Sequence, residues 1–374
     1  MTDLRCYGLT GIHKEQLEEL TLKFENVKPP VKLSLKHCFF FYLMKLRLGI
    51  SSYRLGLIYT EPSQYQIKQI VIFIRELLFN EFTPLYLGVH AASREKLIKN
   101  HTTTMSKILL NVGPDSLPVV MDATYIYTQK SSNYSFQKDT FSAHKKKNLL
   151  KFMIICATDG YMLAVIGPYI CNGKNNDASI ILDIFKNNIN ELENYFEMND
   201  VFIVDRGFRD SLEYLETKGY KTQMPTFLGK RKQHTAAEAN ASRLVTKIRW
   251  VIESANGRIK KWSYFYNTIE NLNIPFIEKD FKNICAIINA FRPPLGNVND
   301  EENTALYKKM MIIALKENTF AAKALNFKQF ISKKKTIRSS YYCFSDSNRR
   351  IHTVFDIWCI STKTGTFLHK RTFR

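Results

Sequence analysis

Three carboxylates have side chains suited to binding a divalent metal ion. Asp122 lies inside the apolar run Val119–Thr124, Asp205 follows the apolar run Val201–Val204, and Glu253 lies within a long predicted helix. Carboxylate oxygens are the ligands that Mg²⁺ and Mn²⁺ prefer, and cleavage of a phosphodiester bond needs such ions held close together. The order strand, strand, helix therefore predicts a metal site with hydrolytic chemistry on phosphate esters.

Each carboxylate also has a structural interpretation. An Asp at the end of a strand usually caps a helix or forms a turn, so Asp205 could simply begin the helix predicted near Asp210. Glu253 could be a surface residue paired with Arg249, one turn earlier on the helix. Taken singly, each acidic residue favours the structural interpretation. The joint pattern favours the metal site, because two of the three interrupt or end very apolar strands.

The segment 112–295 contains the elements that must position these residues. Three predicted strands are followed by an alternation of helix, strand and helix, which is typical of a mixed α/β sheet of the RNase H-like kind. The apolar stretch Phe152–Ile170 is long enough to cross a membrane, but Asp159-Gly160 interrupts it, which favours two strands and a turn. The predicted strands are Leu117–Thr128, Leu149–Ala157, Tyr161–Gly167 and Val201–Val204, and the predicted helices are Asn176–Glu193, Asp210–Lys218 and Thr235–Trp262.

The chain on either side of this segment has a different pattern. Residues 1–111 are predicted to be all-helical, with a helix-turn-helix at about 32–85, although many small helical bundles share that layout. Residues 296–374 are predicted to form a basic tail of unclear fold, with a helix near Leu306–Leu325. Its segment Lys333–Lys335 could contact DNA or direct the chain to the nucleus, and a solvated basic surface is equally consistent.

The charge balance favours a polyanionic partner. The chain has 54 basic and 34 acidic residues and a net charge of +20, which favours capture of nucleic acid, since each phosphate neutralised by Lys or Arg releases counterions. A basic protein kept soluble by its charge would have the same composition. The seven cysteines form no CxxC pair, which argues against a zinc finger and fits a reducing compartment. We expect a nuclear protein that does not enter the membrane.

Three short blocks resemble the catalytic blocks of the Harbinger-type DDE superfamily endonucleases. They are Met121–Tyr125, Val204–Phe208 and Arg249–Glu253, and the 48 positions between Asp205 and Glu253 resemble the spacing in that family. Further similarity lies in Tyr134–Lys151, in Gly173–Asp177 and in Leu43–Gly49, so that the resemblance covers residues 32–294.

The resemblance implies an RNase H-like fold and a metal-dependent nuclease. Asp122 and Asp205 would hold two Mg²⁺ or Mn²⁺ ions, and Glu253 would complete one of the two sites. The family's reaction is hydrolysis of DNA at transposon ends followed by strand transfer. A homodimer would pair the two DNA ends, and a Myb-like DNA-binding protein is a further possible partner.

Several basic residues near these blocks are candidates for DNA contacts. Those on or next to the long helix are Arg249, Arg258, Lys260 and Lys261, and those in the basic segment between the first two strands are His144 and Lys145, for which a solvated turn is equally plausible. Asp177 is either a supporting carboxylate of the metal site or the cap of the helix that follows, and its residue type favours the cap.

Three functions remain open from the sequence. The first is an active transposase-type DNA endonuclease, which retention of all three carboxylates favours. The second is a domesticated, catalytically silent DNA-binding protein on the same fold. The third is an RNase or a structure-selective repair nuclease that uses the same metals.

Overall fold

The computed structural model describes residues 2–59, 61–229, 231 and 233–315. All of these belong to one compact unit, residues 1–317. The predicted tail therefore falls mostly outside the described residues, as do Lys333–Lys335 and the second half of the helix predicted at Leu306–Leu325. The described part of that helix begins earlier, at Glu301, and is followed to Leu315.

The N-terminal region is helical, as predicted. Its helices begin at side chains that cap them: the hydroxyls of Ser34, Ser51 and Ser63 each accept a hydrogen bond from the backbone N–H three residues later. Gly49 ends the third helix with a φ of +66°, a conformation that suits glycine. The helices are α1 (Asp3–Thr10), α2 (Lys14–Leu22), α3 (Leu35–Leu48), α4 (Ser52–Ile58), α5 (Gln64–Leu77), α6 (Thr83–Tyr86), α7 (Arg94–His101) and α8 (Thr104–Leu109).

Helices α3, α4 and α5 occupy the segment predicted to be a helix-turn-helix, and a π-helical turn, Leu78–Phe82, extends α5. Their role in binding DNA stays a prediction.

A six-stranded mixed sheet follows, in the order β2-β3-β1-β5-β6. β4 also pairs with β3, along the edge of β3 that faces away from β1. β1 pairs antiparallel with β3 and parallel with β5. The register Val120 opposite Ile203 sets Asp122 level with Asp205, two residues further along each strand. The strands are β1 (Pro118–Tyr127), β2 (Phe141–Ser142), β3 (Lys147–Ala157), β4 (Met162–Ile170), β5 (Val201–Ile203) and β6 (Lys221–Gln223).

The apolar stretch Phe152–Ile170 forms most of the β3–β4 hairpin, which confirms the prediction of two strands and a tight turn. Gly160 lies in the turn with a φ of +92°, and the Asp159 Oδ1 accepts a hydrogen bond from the Tyr161 N–H at 2.9 Å. Among the described helices, none combines the length and the apolar character needed to cross a membrane.

Two of the helices predicted in this region differ from the observed ones. The helix predicted at 176–193 ends at Lys186, because Asn188, Asn190 and Glu191 have positive φ values of 46°, 55° and 59°. The helix predicted at 210–218 is preceded by a 3₁₀ turn, Arg206–Ser211. The helices are α9 (Tyr134–Thr140), α10 (Asp177–Lys186), α11 (Leu192–Tyr195), α12 (Leu212–Thr217), α13 (Ala236–Lys260), α14 (Ser263–Tyr266), α15 (Ile277–Phe291) and α16 (Glu301–Leu315).

Two hydrophobic cores lie on the two faces of the sheet, because successive residues of a strand point to opposite faces. Val120 and Ile126 of β1 face a core shared with α13, α15 and the N-terminal helices. Val119 and Met121 face a second core, which includes residues of α10 and α12. The fold is thus mixed α/β, an N-terminal helical region followed by a sheet covered by helices, consistent with an RNase H-like domain.

Candidate active site

Asp122 and Asp205 come from neighbouring parallel strands. Asp122 is half-buried on the face of β1 that also carries Val120, and Asp205 is half-buried just beyond the end of β5. The Asp205 Oδ1 accepts a hydrogen bond from the Gly207 N–H at 2.7 Å, so Asp205 also caps the 3₁₀ turn Arg206–Ser211. The structural alternative for Asp205 is therefore observed, and its position at the strand end leaves the second carboxylate oxygen free for another ligand.

Asp177 is a third carboxylate at this site, and it does not cap the helix that follows, as the sequence had favoured. The cap of α10 is Asn176, whose Oδ1 accepts from the Ser179 N–H at 2.8 Å, so the prediction that Asp177 caps the helix is wrong. Asp177 is the first residue of α10, and its Oδ1 lies 3.0 Å from the Lys151 Nζ. A Cβ placed on Gly207 would lie 3.0 Å from the Asp205 Oδ1 and 3.4 Å from the Asp177 Oδ2, so the two carboxylates flank that glycine.

The electrostatics show that these carboxylates lie within range of one another. Burial raises the pKa of Asp122 to about 7; the charge of Arg249 lowers it, and the charges of Asp205 and Asp177 raise it further. Two carboxylates that share a site resist joint ionisation unless a cation lies between them. The three aspartates therefore lie close enough for the charges of Asp205 and Asp177 to affect the pKa of Asp122.

Two residues of this site were missed by the sequence analysis. Burial raises the pKa of Tyr125 to about 12, with Asp177 and Asp122 as the next causes. Lys151 lies opposite Tyr125 in the β1–β3 register, its side chain is only 9% exposed, and its Nζ lies 5.6 Å from the centroid of the Tyr125 ring. The available signal was a lysine within an apolar strand, since a buried lysine needs an anionic partner.

Glu253 lies on the helix that faces Asp122 but makes no hydrogen bond to it. Its side chain is 63% exposed and lies 3.6 Å from the Arg249 Nη1, so the alternative of a surface pair is also observed. The α13 residue that donates to Asp122 is Asn256, whose Nδ2 lies 3.5 Å from the Asp122 Oδ2. The Asn256 Oδ1 and the Arg249 Nε are buried without a hydrogen-bond partner in the described part of the chain. Polar atoms left in this state indicate that a further group belongs at this site.

A comparison with protein families identifies this part of the chain. Residues 121–289 match the family model described as DDE superfamily endonuclease. The chain carries a DDE superfamily endonuclease domain. Comparison with curated proteins and with solved structures gave no match. The match begins next to Asp122 and includes Asp205 and Glu253, whereas α1 to α8 lie before it.

The residues of the DDE domain fit a divalent cation by their chemistry. Enzymes of this family typically use divalent metals, which bind hard oxygen ligands such as the Asp122, Asp177 and Asp205 carboxylates. Burial, opposed by Arg249 and assisted by Asp205 and Asp177, raises the pKa of Asp122, so a metal ion bound there would have to displace its proton. In the described residues no group of three or more His, Cys, Asp or Glu side chains is already arranged to hold an ion. The ligands are thus near one another without a complete coordination shell.

The predicted DNA contacts of the DDE domain lie in different places. His144 and Lys145 are exposed in the turn before β3, and the Lys145 Nζ lies 5.5 Å from the centroid of the Tyr125 ring, beside the carboxylates. Lys261 is exposed at the end of α13. The Lys260 Nζ points inward instead and donates to the Tyr125 and Phe265 carbonyls, and burial lowers its pKa to about 8.

Arg249 and Arg258 lie at different positions around α13. The Arg249 side chain is 13% exposed and lies close enough to lower the pKa of Asp122. Arg258 lines a separate cavity together with Arg292. Successive helix residues are about 100° apart, so Arg258 lies roughly 140° around α13 from Glu253. The structure therefore brings Arg249 and Lys145 to the carboxylates and leaves Arg258 elsewhere.

Proposed function

We propose that the protein is a metal-dependent DNA endonuclease of transposase type, with Asp122, Asp205 and Glu253 as its catalytic carboxylates. The observation that carries the proposal is the meeting of Asp122 and Asp205 at neighbouring strands inside a DDE endonuclease domain, with the Asp122 pKa raised to about 7. Binding of a metal ion by Asp122 would require loss of its proton and would therefore depend on pH near neutrality.

Asp122 and Asp205 would hold Mg²⁺ or Mn²⁺, with Glu253 completing one site after leaving Arg249. Glu253 is 63% exposed and lies 3.6 Å from the Arg249 Nη1, and a pair with one solvated partner contributes about 1 kcal/mol, so this change is energetically small. When bound, the ions supply activation of the attacking water and stabilisation of the leaving 3′ oxygen.

The protein groups around the ligands hold them in place. The Gly207 N–H orients the Asp205 carboxylate, and the Asn256 amide faces Asp122. Lys151 holds Asp177 at 3.0 Å, which keeps this supporting carboxylate beside Gly207. These contacts would orient the three aspartates before substrate arrives, as a catalytic metal site requires.

Binding of DNA is the second part of the proposal. The net charge of +20, the exposed His144–Lys147 turn beside the carboxylates and the three helices α3, α4 and α5 support it. We include in the proposal a nuclear location, a homodimer that pairs two DNA ends, and a Myb-like DNA-binding partner.

The test is a nicking assay with labelled duplex DNA and Mg²⁺ or Mn²⁺. We expect Asp122→Asn, Asp205→Asn and Glu253→Gln each to lower the cleavage rate by about 10³-fold or more while DNA binding is kept. Asp210→Asn is the matched control, because Asp210 is an exposed carboxylate paired with its neighbour Arg209. Parallel reactions with RNA and an RNA–DNA hybrid define the substrate.

Two results would change the assignment. If wild-type protein binds duplex DNA in a salt-sensitive manner but cuts none of these substrates, the catalytically silent DNA-binding protein becomes the better description. If it cuts RNA or the hybrid and leaves duplex DNA intact, the protein is an RNase on the same fold.

A further inference from the structure

A second polar site lies away from the three aspartates. It is a cavity of about 180 Å³ between the end of α7, the β3–β4 turn and the end of α15. Its charged lining residues are Arg258, Arg292, His101 and Asp159. Asp159 follows the carboxyl end of β3, which runs antiparallel to β1, whereas Asp205 follows the carboxyl end of β5, which runs parallel to β1. The cavity therefore lies beyond the start of β1, whereas Asp122 and Asp205 lie level with the middle of β1.

The arginines at this cavity have no carboxylate partner. Neither Arg258 nor Arg292 forms an ion pair with any described residue, and the Arg258 guanidinium has no hydrogen-bond acceptor among them. Arg292 donates to the Gly11 carbonyl, and its guanidinium lies 4.6 Å from the centroid of the Tyr7 ring. Arg47 lies over the same ring at 5.6 Å, so three arginines are crowded together.

The crowding of the arginines has an electrostatic consequence. Burial lowers the pKa of Arg258 and the charge of Arg292 lowers it further, while the charge of Asp159 offsets only part of this, so the pKa is lowered overall. The pKa of Arg47 is lowered by burial as well; Tyr7 opposes this, and the charge of Arg292 lowers it again. A part-buried cation with a cationic neighbour is destabilised unless an anion compensates it.

The single carboxylate of the cavity is already engaged. The Asp159 Oδ2 lies 2.8 Å from the His101 Nδ1, and its Oδ1 accepts from the Tyr161 N–H at 2.9 Å. Two arginines against this one carboxylate leave a positive charge at the cavity, and Arg47 adds a further charge near Arg292. The remaining walls include Pro293 and Pro294, whose rings restrict the backbone.

We propose that this cavity binds a phosphate group between Arg258 and Arg292. The planar guanidinium presents parallel N–H donors that match two phosphate oxygens, and arginine is the side chain best suited to such bidentate contacts. The phosphate can belong to the backbone of DNA or be a free anion, since the recognition chemistry is the same. The site uses none of the proposed catalytic residues and does not depend on nuclease activity.

The first test measures thermal unfolding of the full chain in inorganic phosphate and in chloride at equal ionic strength. For the wild type we expect phosphate at about ten times its Kd to raise the Tm by roughly 1–3 °C. Arg258→Gln should lose this rise and bind phosphate at least tenfold more weakly in titration calorimetry. Arg258→Lys, which keeps the charge without the fork, should fall between them.

Each protein is its own reference in this comparison, so a general loss of stability in a variant does not alter the result. Arg5→Gln is the charge-matched control, because Arg5 is an exposed arginine outside the cavity, and it should keep the full rise.

A second measurement separates the two sources of the phosphate. Binding of a labelled duplex is measured in EDTA over a range of salt concentrations. If the group belongs to DNA, Arg258→Gln weakens binding and lowers the magnitude of the salt slope by about 0.9, the value for one phosphate contact. If it is a free anion, the duplex affinity of Arg258→Gln equals that of Arg5→Gln. The proposal is overturned if phosphate stabilises wild type and Arg258→Gln equally, or if neither phosphate nor DNA distinguishes Arg258→Gln from Arg5→Gln.

Discussion

Replacing Asp122 by Asn should stabilise the metal-free protein at neutral pH, although we propose that Asp122 is a metal ligand. Asp122 is half-buried, and its pKa is raised from 3.8 to about 7, first by burial and then by Asp205 and Asp177. At 1.36 kcal/mol for each tenfold change, this difference corresponds to an upper bound of about 4 kcal/mol against folding when the group is ionised. Relaxation and water access reduce this, and we expect about 1–3 kcal/mol.

The pH dependence of this effect has a definite sign. Because the folded pKa of Asp122 exceeds the unfolded value, the folded state holds the proton more tightly, and stability is lost as pH rises from 3.8 to about 7. The Asn side chain does not ionise, so the variant lacks this loss. The amide can also donate a hydrogen bond where a carboxylate cannot, and the nearby Asn256 Oδ1 has no partner in the described residues.

The assay is urea unfolding in EDTA at pH 4 and pH 8. We expect Asp122→Asn and wild type to be equally stable at pH 4 and the variant to be more stable at pH 8. Asp210→Asn, at an exposed carboxylate, should stay within about 0.5 kcal/mol of wild type at both values. Added Mn²⁺ should stabilise wild type and leave Asp122→Asn nearly unchanged. An Asp122→Asn variant that is less stable than wild type at pH 8 would refute the reasoning.

Three other substitutions test the contacts around this site. Asp177→Asn should lower stability by about 1–3 kcal/mol in urea unfolding, because Lys151 loses its carboxylate partner. This change is opposite in sign to the one expected for Asp122→Asn. An unchanged stability would mean that Lys151 is solvated. Arg75→Met should cost about 3–5 kcal/mol in the same assay, because Asp280 is 0% exposed, and a cost below about 1 kcal/mol would contradict the buried pair. Burial lowers the pKa of Lys260 to about 8, and the unfolded state holds its proton longer, so the wild type should gain stability between pH 8 and 10.5. Lys260→Met should lack this rise, measured as the difference in stability from wild type. Parallel pH curves for the two proteins would contradict this.

The sequence predicts the strands well because apolar composition determines them. The strand predicted at 117–128 is Pro118–Tyr127, and that predicted at 201–204 is Val201–Ile203. Their parallel pairing could not be read from the sequence, since register depends on contacts across the sheet. The break in the helix after Lys186 was missed, because the asparagines with positive φ occur in a segment whose apolar residues keep a helical spacing.

The starting residue and the rotation of each helix account for the incorrect predictions at the site. Asn176 and Asp177 are both good caps, and a shift of one residue in the start of α10 decides which of them caps and which points at Gly207. In α13 the sequence identified the helix and its acidic residue. It could not show that Asn256, three residues further on, is the one that contacts Asp122. The position of Arg258 on another side of the helix was readable from the spacing of 100° per residue.

The N-terminal helices are joined to the DDE domain by buried hydrogen bonds and an ion pair. Asp280 of α15 accepts hydrogen bonds from Arg75 of α5 and Tyr42 of α3, and all three side chains are buried. Asn283 of α15 donates to the Tyr42 hydroxyl and to the Arg75 carbonyl. Because α15 also packs on β4, separating the helices from the sheet would leave buried charges without partners. Any DNA held by α3 to α5 would consequently lie at a fixed position relative to Asp122 and Asp205, so that the distance between the bound sequence and the cleaved bond would be set by the fold rather than by a flexible linker.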